Sequence, residues 1–238
     1  MQFMQDFGSS FIIAFRLVSS FDPDLAEIVR LSLKVSLSAV LFSALIGLPL
    51  GAILATSRFR GRNVLIIIVN ALMGLPPVVV GLLVYLALSN AGPFGWMQLL
   101  YSPSAMIIAQ TILVTPIITA LTREIIEQLN GEYAEYFKSL CLTRWQRLTA
   151  LLWDARYGLL TVGLAGFGRA IAEVGAVIIV GGNIDHLTRV MTTAIALETS
   201  RGDLSLALAL GIVLLTIALT VNAAVMMIRN SAARTAYA

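Results

Sequence analysis

Five long apolar segments dominate this chain, and they constrain its fold more than any other feature of the sequence. They are Val35–Thr56, Val64–Leu88, Ala105–Leu121, Gly158–Val180 and Leu204–Ile228. A helix needs about 20 mostly apolar residues to cross the hydrocarbon core of a bilayer. Charged residues make up only 12% of the chain, against about 25% in an ordinary soluble domain. The sequence therefore predicts an all-α integral membrane protein, a bundle of five helical spans.

The N-terminal segment Phe7–Phe21 is apolar as well, but Arg16 interrupts it. A helix of about 15 residues rises only about 22 Å, which is less than the roughly 30 Å of hydrocarbon in a bilayer. We therefore expect residues 1–24 to form an interfacial or truncated helix, and residues 25–238 to form the transmembrane domain.

The basic residues predict the orientation of the chain, because cytoplasmic loops carry an excess of Lys and Arg. In the five-span topology, ten of the sixteen fall on one side: Arg58, Arg60, Arg62, Arg123, Lys138, Arg144, Arg147, Arg156, Arg229 and Arg234. We therefore expect the N-terminus to lie outside and the C-terminus to lie in the cytoplasm.

Prolines fall inside three of the predicted spans, at Pro49, at the pair Pro76 and Pro77, and at Pro116. Proline removes a helix hydrogen bond, and within a membrane the freed carbonyl needs another partner. Taken singly, each proline is consistent with ordinary helix packing. Three interrupted spans in one short chain favour a path between bent helices, so we expect these prolines to mark helix breaks or gates.

The stretch Arg123–Arg156, between the third and fourth spans, combines helical periodicity with charge. Its apolar residues recur at roughly helical spacing, and charged residues occupy the remaining faces. The apolar set is Tyr136, Leu140, Trp145, Leu148, Leu151 and Leu152. This pattern predicts a helix–turn–helix with one apolar face that docks a cytoplasmic partner. An amphipathic helix resting on the membrane surface is the alternative.

Two residues of opposite charge, Arg169 and Glu173, lie within the fourth span. A lone charge in the bilayer core costs at least about 2.5 kcal/mol, so such residues normally face a bundle interior or a wet cavity. Residues four apart share one helix face and can pair. Two roles stay open: a structural pair that neutralises itself, or direct contact with a transported solute. A proton relay is disfavoured because the spans offer no further titratable partners.

The pair Gly181 and Gly182 is expected to end the fourth span. The segment Met191–Leu197 that follows is apolar but too short to cross, which predicts a re-entrant or interfacial helix on the outer side. Candidates for a helix break or an outer gate here are Gly175, Gly181, Gly182, Asn183, Thr192 and Thr193. For any single threonine, a solvated loop position is the alternative.

The remaining residues argue against a catalytic or metal-binding role for the chain itself. Cys141 is the only cysteine and His186 the only histidine, which removes disulfides, thiolate clusters and most histidine-based sites. We expect His186 in a surface loop and Cys141 as a buried or interface thiol. The sequence contains no phosphate-binding loop, zinc-protease or serine-hydrolase motif, so any ATPase must be another polypeptide. The formal charge of +3 does not suggest nucleic acid.

The order of the spans around an amphipathic cytoplasmic loop resembles the permease subunits of binding-protein-dependent ABC importers. Those permeases dock onto the ATPase through a loop of the form Glu-Ala-Ala-x-x-x-Gly. The best register here is Glu135–Cys141, in which only the glutamate matches. The stretch Ala165–Ala176, continuing to Gly181-Gly182-Asn183-Ile184, is more specific. It looks like the tungstate-type branch, which is related to molybdate and sulfate permeases.

This resemblance implies a type I, molybdate-permease-like fold in a bacterial or archaeal cytoplasmic membrane. It implies a homodimer embedded in lipid, two cytoplasmic ATPase subunits and an external binding protein that delivers a tetrahedral oxyanion. ATP and magnesium would bind the ATPases, and this chain would hold no cofactor and no metal. The residues expected to couple to the ATPase are Glu132, Glu135, Tyr136, Lys138, Leu140, Cys141 and Arg144.

Tungstate is the expected substrate, with molybdate and sulfate as alternatives. A self-sufficient secondary carrier or channel is the alternative from another class. It is disfavoured by the odd number of spans and by the absence of a visible inverted repeat. A membrane enzyme is disfavoured because the chain offers no nucleophile–base or metal set.

Overall fold

The computed structural model describes residues 12, 13, 16 and 22–236, in which the regular structure is entirely helical. The helix expected over Phe7–Phe21 lies almost wholly outside these residues. The described chain divides into two compact units. One holds the chain up to Ser38 together with Pro77–Gln110 and Ile171–Val221, and the other holds Ala39–Pro76, Thr111–Ala170 and the rest.

Ten α-helices follow one another from residue 22 onward, with one short 3₁₀ turn, Gly95–Met97, between the third and the fourth. They are α1 Pro23–Thr56, α2 Arg62–Met73, α3 Pro77–Leu88, α4 Pro103–Glu132, α5 Ala134–Ser139, α6 Arg144–Asp154, α7 Arg156–Ile171, α8 Gly175–Gly181, α9 Met191–Arg201 and α10 Leu204–Ala236.

Three of these helices, α1, α4 and α10 over Leu204–Ile228, are long and apolar enough to cross a membrane by themselves. Two bent pairs, α2 with α3 and α7 with α8, qualify when each pair is taken as one span. The fold is therefore the predicted all-α membrane fold, with three helices long enough to span alone and up to five spans when each bent pair is counted as one.

The first helix begins well before the span predicted at Val35. Asp22 precedes it, and its carboxylate accepts hydrogen bonds from the Asp24 and Leu25 amides at 3.0 and 3.2 Å. Pro23 occupies the first helical position, where the missing amide proton is not needed. This N-cap starts α1 at a polar segment that precedes the apolar span, and hydropathy alone does not detect it.

Pro49 and Pro116 lie inside helices that continue through them, so the expectation of a break at these two residues is wrong. The break in the second span is real and falls between Met73 and Pro77. Pro77 becomes the first residue of α3, and Pro76 lies in the intervening turn. A helix usually ends before a proline pair, because each proline also disfavours the helical conformation of the residue that precedes it.

In the unit that contains Ala39–Pro76 and Thr111–Ala170, glycines allow two helices to pack closely. A Cβ atom on Gly47 would lie 2.9 Å from Ile118 Cγ2, and one on Gly51 would lie 2.5 Å from the Thr119 carbonyl oxygen. The small-xxx-small spacing of Gly47 and Gly51 thus brings α1 and α4 into backbone contact. The buried residues next to this contact are Val114, Ile118, Val162 and Ala170.

In the other unit, α3 and α8 approach each other in the same way. A Cβ atom on Gly81 would lie 2.8 Å from Ala176 Cα, and one on Gly175 would lie 2.9 Å from Val78 Cγ2. Neither position has room for a side chain. This close contact holds α8, which is only seven residues long, against a neighbouring helix.

Candidate coupling surface and helix break

The helices α5 and α6 are joined by a tight turn that local residues specify. Cys141 adopts a positive φ of 49°, and the Leu142 amide donates to the Phe137 carbonyl over 3.4 Å. The Thr143 hydroxyl accepts from the Gln146 amide at 3.4 Å, and the Gln146 side chain accepts from the Thr143 amide at 2.9 Å. This capping box satisfies donors that the first turn of a helix leaves free. The predicted helix–turn–helix is confirmed over residues 134–154.

This α5–α6 segment, residues 134–154, is fixed to the ends of α1 and α4. The buried members of the apolar cluster that joins them are Ala52, Ala55, Ile126, Phe137, Leu151 and Ala155. Two polar contacts add to this cluster. The Tyr133 hydroxyl donates to Asp154 Oδ2 at 2.7 Å, and Arg147 Nε donates to Asn130 Oδ1 at 2.6 Å. Residues of both α5 and α6 therefore hold the segment against α1 and α4.

The opposite face of the segment is exposed and rich in large apolar groups. Trp145 is 76% exposed and Trp153 is 70% exposed. Tyr136 and Leu140 are also exposed, whereas Leu151 is fully buried. The prediction of a single apolar face is therefore wrong. The turn between α5 and α6 breaks the helical period, so one apolar set packs inward and another faces outward.

All residues expected to couple to an ATPase lie on the exposed surface of this segment or just before it: Glu132, Glu135, Tyr136, Lys138, Leu140, Cys141 and Arg144. Cys141 is exposed, so of the two expectations the buried thiol is wrong and the interface thiol stays a prediction. Its position at the tip of the turn directs it away from the core. Trp153 was not among the predicted residues. Its sequence signal was the spacing of eight residues from Trp145, which is close to two helical turns.

A charged cluster of Arg62, Arg123 and Glu127 was also not predicted. Glu127 Oε1 pairs with Arg62 Nη2 at 2.7 Å, and its other oxygen pairs with Arg123. Arg62 Nε donates in addition to the Leu54 carbonyl at 2.7 Å. The pair Arg123 and Glu127 is visible in the sequence as an i, i+4 pair on one helix. The arrival of Arg62 from 65 residues away depends on the tertiary fold.

The fourth predicted span contains a break at residues 172–174. The helix α7 ends at Ile171 and α8 begins at Gly175. Arg169 lies on α7 and Glu173 lies in the break after it. The expectation that the two residues share one face of a continuous helix is therefore wrong. Gly175, one of the predicted candidates for a helix break, is the first residue after it, although neither proline nor a charge run marks residues 172–174.

Glu173 lies in this break and is only 4% exposed. Its Oε1 accepts a hydrogen bond from the Ala176 amide at 3.1 Å, which places a carboxylate at the first turn of α8. The Thr192 hydroxyl donates to the Glu173 carbonyl at 2.9 Å. A break inside a membrane helix leaves backbone groups without partners, and here side chains supply some of them. Glu173 and Thr192 thus fix α9 against the break.

The predicted end of α8 at the Gly-Gly pair is confirmed. Gly181 is the last helical residue and Gly182 has a φ of +70°. The Thr188 hydroxyl donates to the Gly181 carbonyl at 2.5 Å and accepts from the Ile184 amide at 2.9 Å. The side-chain amide of Asn183 donates to the Thr193 carbonyl at 3.5 Å. These bonds fold the chain tightly back toward α9.

The helix predicted from Met191 to Leu197 is present as α9, and it extends to Arg201. Thr192 and Thr193 are buried rather than solvated. The Thr193 hydroxyl exchanges hydrogen bonds with the Val190 backbone at 3.0 and 3.1 Å. Both threonines therefore hold the start of α9, and an outer gate role for them stays a prediction.

His186 is exposed in the loop before α9, as predicted. Its Nδ1 lies 2.9 Å from Glu27 Oε2 on α1. The hydrogen bond to Glu27, followed by the negative charge of Asp185, raises the pKa of His186 above its usual value of 6.5. Within the described residues, no group of three or more His, Cys, Asp or Glu side chains could hold a metal ion.

Comparison with known proteins identifies the class of protein to which these features belong. The family model of the binding-protein-dependent transport system inner membrane component matches residues 47–233. The chain belongs to this family. It is a multi-pass membrane permease of an ABC transport system, and the earlier resemblance to these permeases is confirmed.

Individual relatives are similar to this permease over most of its length. A tungstate uptake system permease protein from Peptoclostridium acidaminophilum is 41% identical over 222 residues, which cover 93% of this chain and 97% of the relative. A probable anion ABC transporter permease from Haloferax volcanii is 40% identical over 84% of this chain and 88% of its own. A tungstate uptake system permease from Campylobacter jejuni is 38% identical over 69% of each chain.

Proposed function

We propose that this permease is the membrane-spanning subunit of an ATP-driven importer for tungstate. The observation that carries the proposal is the similarity to a tungstate uptake permease, which extends over nearly the whole of both chains. Molybdate and sulfate, which are also tetrahedral oxyanions, are the alternative substrates of the same class.

The transporter would contain two copies of this chain, two cytoplasmic ATPase subunits and an external binding protein that delivers the oxyanion. The ATPases would bind ATP and magnesium, and this chain would be non-catalytic. The N-terminus would lie outside and the C-terminus in the cytoplasm. The excess of arginine and lysine around the α1–α2 turn and the α5–α6 segment supports this orientation.

The exposed face of the α5–α6 segment is the proposed docking surface for the ATPase. It offers Tyr136, Trp145 and Trp153 with charged residues around them, and aromatic residues surrounded by polar ones are typical of strong protein contacts. Because Phe137 and Leu151 are buried against α1 and α4, a movement of the docked ATPase would be passed to the ends of both helices.

Of the two roles left open for Glu173, the structural role is the better supported. Its carboxylate is buried and accepts a backbone hydrogen bond at the start of α8. A buried negative charge would also repel an oxyanion, so we propose that Glu173 holds the helix break and does not bind the solute. Gly175, Gly181, Gly182 and Asn183 remain candidates for the moving part of the pathway.

The decisive test uses proteoliposomes that contain the permease, its ATPase and its binding protein. Tungstate, molybdate and sulfate are added separately, and both ATP hydrolysis and anion uptake are measured. We expect loaded binding protein to stimulate hydrolysis, most strongly with tungstate. Stronger stimulation by molybdate or sulfate would identify that anion as the substrate instead. Anion uptake by the permease without any ATPase would contradict the importer proposal.

Replacing Glu135 tests the register of the coupling loop. Because Glu135 is exposed on α5, we expect Glu135→Ala to leave the thermal unfolding temperature unchanged while ATP hydrolysis no longer drives uptake. Glu124→Ala on α4, which removes another exposed carboxylate outside the segment, is the matched control. Uptake at the wild-type rate in Glu135→Ala would show that the register is wrong.

A further inference from the structure

A basic pocket of about 690 Å³ lies beside the α5–α6 segment, and the functions above give no role to its residues Arg58, Arg62 and Arg147. Its charged lining consists of Arg58, Arg62, Glu127, Lys138, Arg144 and Arg147. Five positive side chains thus share one concave surface with one carboxylate. The exposed aromatic face proposed for ATPase docking is a different surface, although Lys138 and Arg144 belong to both.

The charges within the pocket are not balanced by the protein. Both oxygens of Glu127 are already engaged, one by Arg62 and the other by Arg123. Among the residues that the structure describes, no acidic group forms an ion pair with Arg58, Lys138 or Arg144. Like charges held this close repel one another, and an anion between them removes the repulsion.

Two of the arginines are held in place with hydrogen-bond donors to spare. Arg147 uses Nε for Asn130, and its guanidinium lies 5.7 Å from the centre of the Phe137 ring. Arg62 uses Nε and Nη2 for Leu54 and Glu127. A guanidinium carries five N–H donors in a fixed plane, so both side chains retain donors. Such planar forks match the oxygens of a phosphate group.

The position of the pocket indicates where the phosphate would come from. Ala55 and Thr56, the last residues of α1, line it, and α1 is long and apolar enough to cross a membrane. The apolar span Val35–Thr56 ends at these residues, so in the orientation proposed above the pocket falls beside the cytoplasmic headgroups. The adjoining α2 exposes Val64, Ile67 and Ile68, an apolar surface suited to acyl chains. Basic pockets in this position bind the phosphates of anionic lipids.

We propose that this pocket binds an anionic phosphate group, supplied by a phospholipid headgroup. The floor is formed by Arg62 and Arg147, and the exposed side chains of Arg58, Lys138 and Arg144 close over the phosphate. Because the same residues connect the α1–α2 turn with the α5–α6 segment, a bound headgroup holds these two parts of the unit together. Free phosphate has the same chemistry, so the experiment must distinguish the two sources.

Binding is measured on the purified permease–ATPase complex in detergent, by native mass spectrometry and by titration calorimetry. The probes are short-chain phosphatidylglycerol, short-chain phosphatidylcholine and inorganic phosphate. We expect phosphatidylglycerol to bind more tightly than phosphatidylcholine or inorganic phosphate. Equal binding of inorganic phosphate would support the same pocket with a free solute as the source. Binding of none of the three probes would overturn the proposal.

The matched variants are Arg58→Gln and Arg60→Gln. Both arginines are exposed and lie two residues apart, but only Arg58 lines the pocket. A hydrogen bond to a charged group is worth roughly a factor of ten in affinity. We expect Arg58→Gln to weaken phosphatidylglycerol binding about tenfold and Arg60→Gln to leave it unchanged. Equal binding by the two variants would overturn the assignment.

Arg58 also separates this proposal from ATPase docking, because it lies outside the coupling surface. Its exposed side chain has no described partner, so Arg58→Gln is expected to fold, and its unfolding temperature checks this. If Arg58→Gln and Arg144→Gln release the ATPase but bind phosphatidylglycerol as the wild type does, the pocket serves an acidic protein surface and the phosphate proposal fails.

Discussion

The α5–α6 segment and the break between α7 and α8 both interrupt the apolar helices with polar residues, yet they use those residues in opposite ways. In the segment, Glu135 and Trp145 are exposed, and a capping box of Thr143 and Gln146 satisfies the backbone locally. In the break, Glu173 and Thr192 are buried, and they supply hydrogen bonds to the backbone themselves.

The comparison teaches which polar residues are available to another molecule. A buried side chain that already satisfies the backbone is needed by the fold, because an unsatisfied buried group costs about 1–3 kcal/mol. An exposed side chain costs the fold little when it is removed. We therefore expect substitutions near the break to change stability and substitutions on the segment to change coupling.

The largest effect on stability is expected at the contact that holds the break. Gly81→Ala would place a Cβ atom 2.8 Å from Ala176 Cα, and overpacking of this kind costs about 1–3 kcal/mol or more. The control is Gly163→Ala, where a Cβ atom meets nothing within 4 Å. Thermal unfolding in detergent should show a clear loss for the first variant and none for the second. Equal unfolding temperatures would show that α3 and α8 can separate at no cost.

On the exposed segment, the largest expected effect is on binding. Trp145→Ala should weaken ATPase docking by about 2 kcal/mol, since exposed tryptophans at the centre of an interface are typical hot spots. The unfolding temperature should not change, because Trp145 is 76% exposed. Affinity is measured by retention of the ATPase on immobilised permease. The control is Gln128→Ala, an exposed polar residue on α4. If both variants retain the ATPase equally, the aromatic face is not the docking surface.

Glu173 should give a smaller stability effect that depends on the replacement. Glu173→Ala removes the acceptor of the Ala176 amide and should cost about 1–2 kcal/mol. Glu173→Gln keeps a side-chain oxygen at this position and should cost less. Thermal unfolding of the two variants compares them directly. If Glu173→Gln is as unstable as Glu173→Ala, the negative charge matters more than the hydrogen bond.

The smallest expected effect is a dependence of stability on pH at His186. Its folded-state pKa is raised by Glu27 and Asp185. Its contribution is therefore fully present below the unfolded pKa near 6.5 and is lost as the pH rises through the folded pKa. We expect the unfolding temperatures of the wild type and His186→Gln to differ slightly at pH 5.5 and to converge at high pH. A difference that grows with pH would contradict this sign.

Much of the fold follows from sequence features that act over short distances. Apolar length predicted the membrane helices, the pair Pro76 and Pro77 predicted the broken second span, and Gly181 with Gly182 predicted the end of α8. These features act through local backbone geometry, which does not depend on the rest of the chain. Glu135 and Tyr136 were likewise placed on a polar, helical segment by their spacing alone.

Several of the expectations that failed depended on contacts between distant residues. Pro49 and Pro116 do not break their helices, because long helices packed against neighbours tolerate proline. The apolar residues of the α5–α6 segment were assigned to one face, but only the position of α1 and α4 decides that Leu151 packs inward and Trp145 faces out. Glu127 was missed because its second partner, Arg62, is 65 residues away.

The sequence by itself determined that this protein lies in a lipid bilayer, that it is helical and which family it resembles. Hydropathy, helix length and local motifs are properties of short segments. Only the tertiary structure decided which polar residues are buried at the α7–α8 break and which remain on the α5–α6 surface. It also gathered five basic side chains from separate helices and turns into one pocket. Burial and charge balance are properties of the packed chain, since each depends on which neighbours exclude water and which supply a partner.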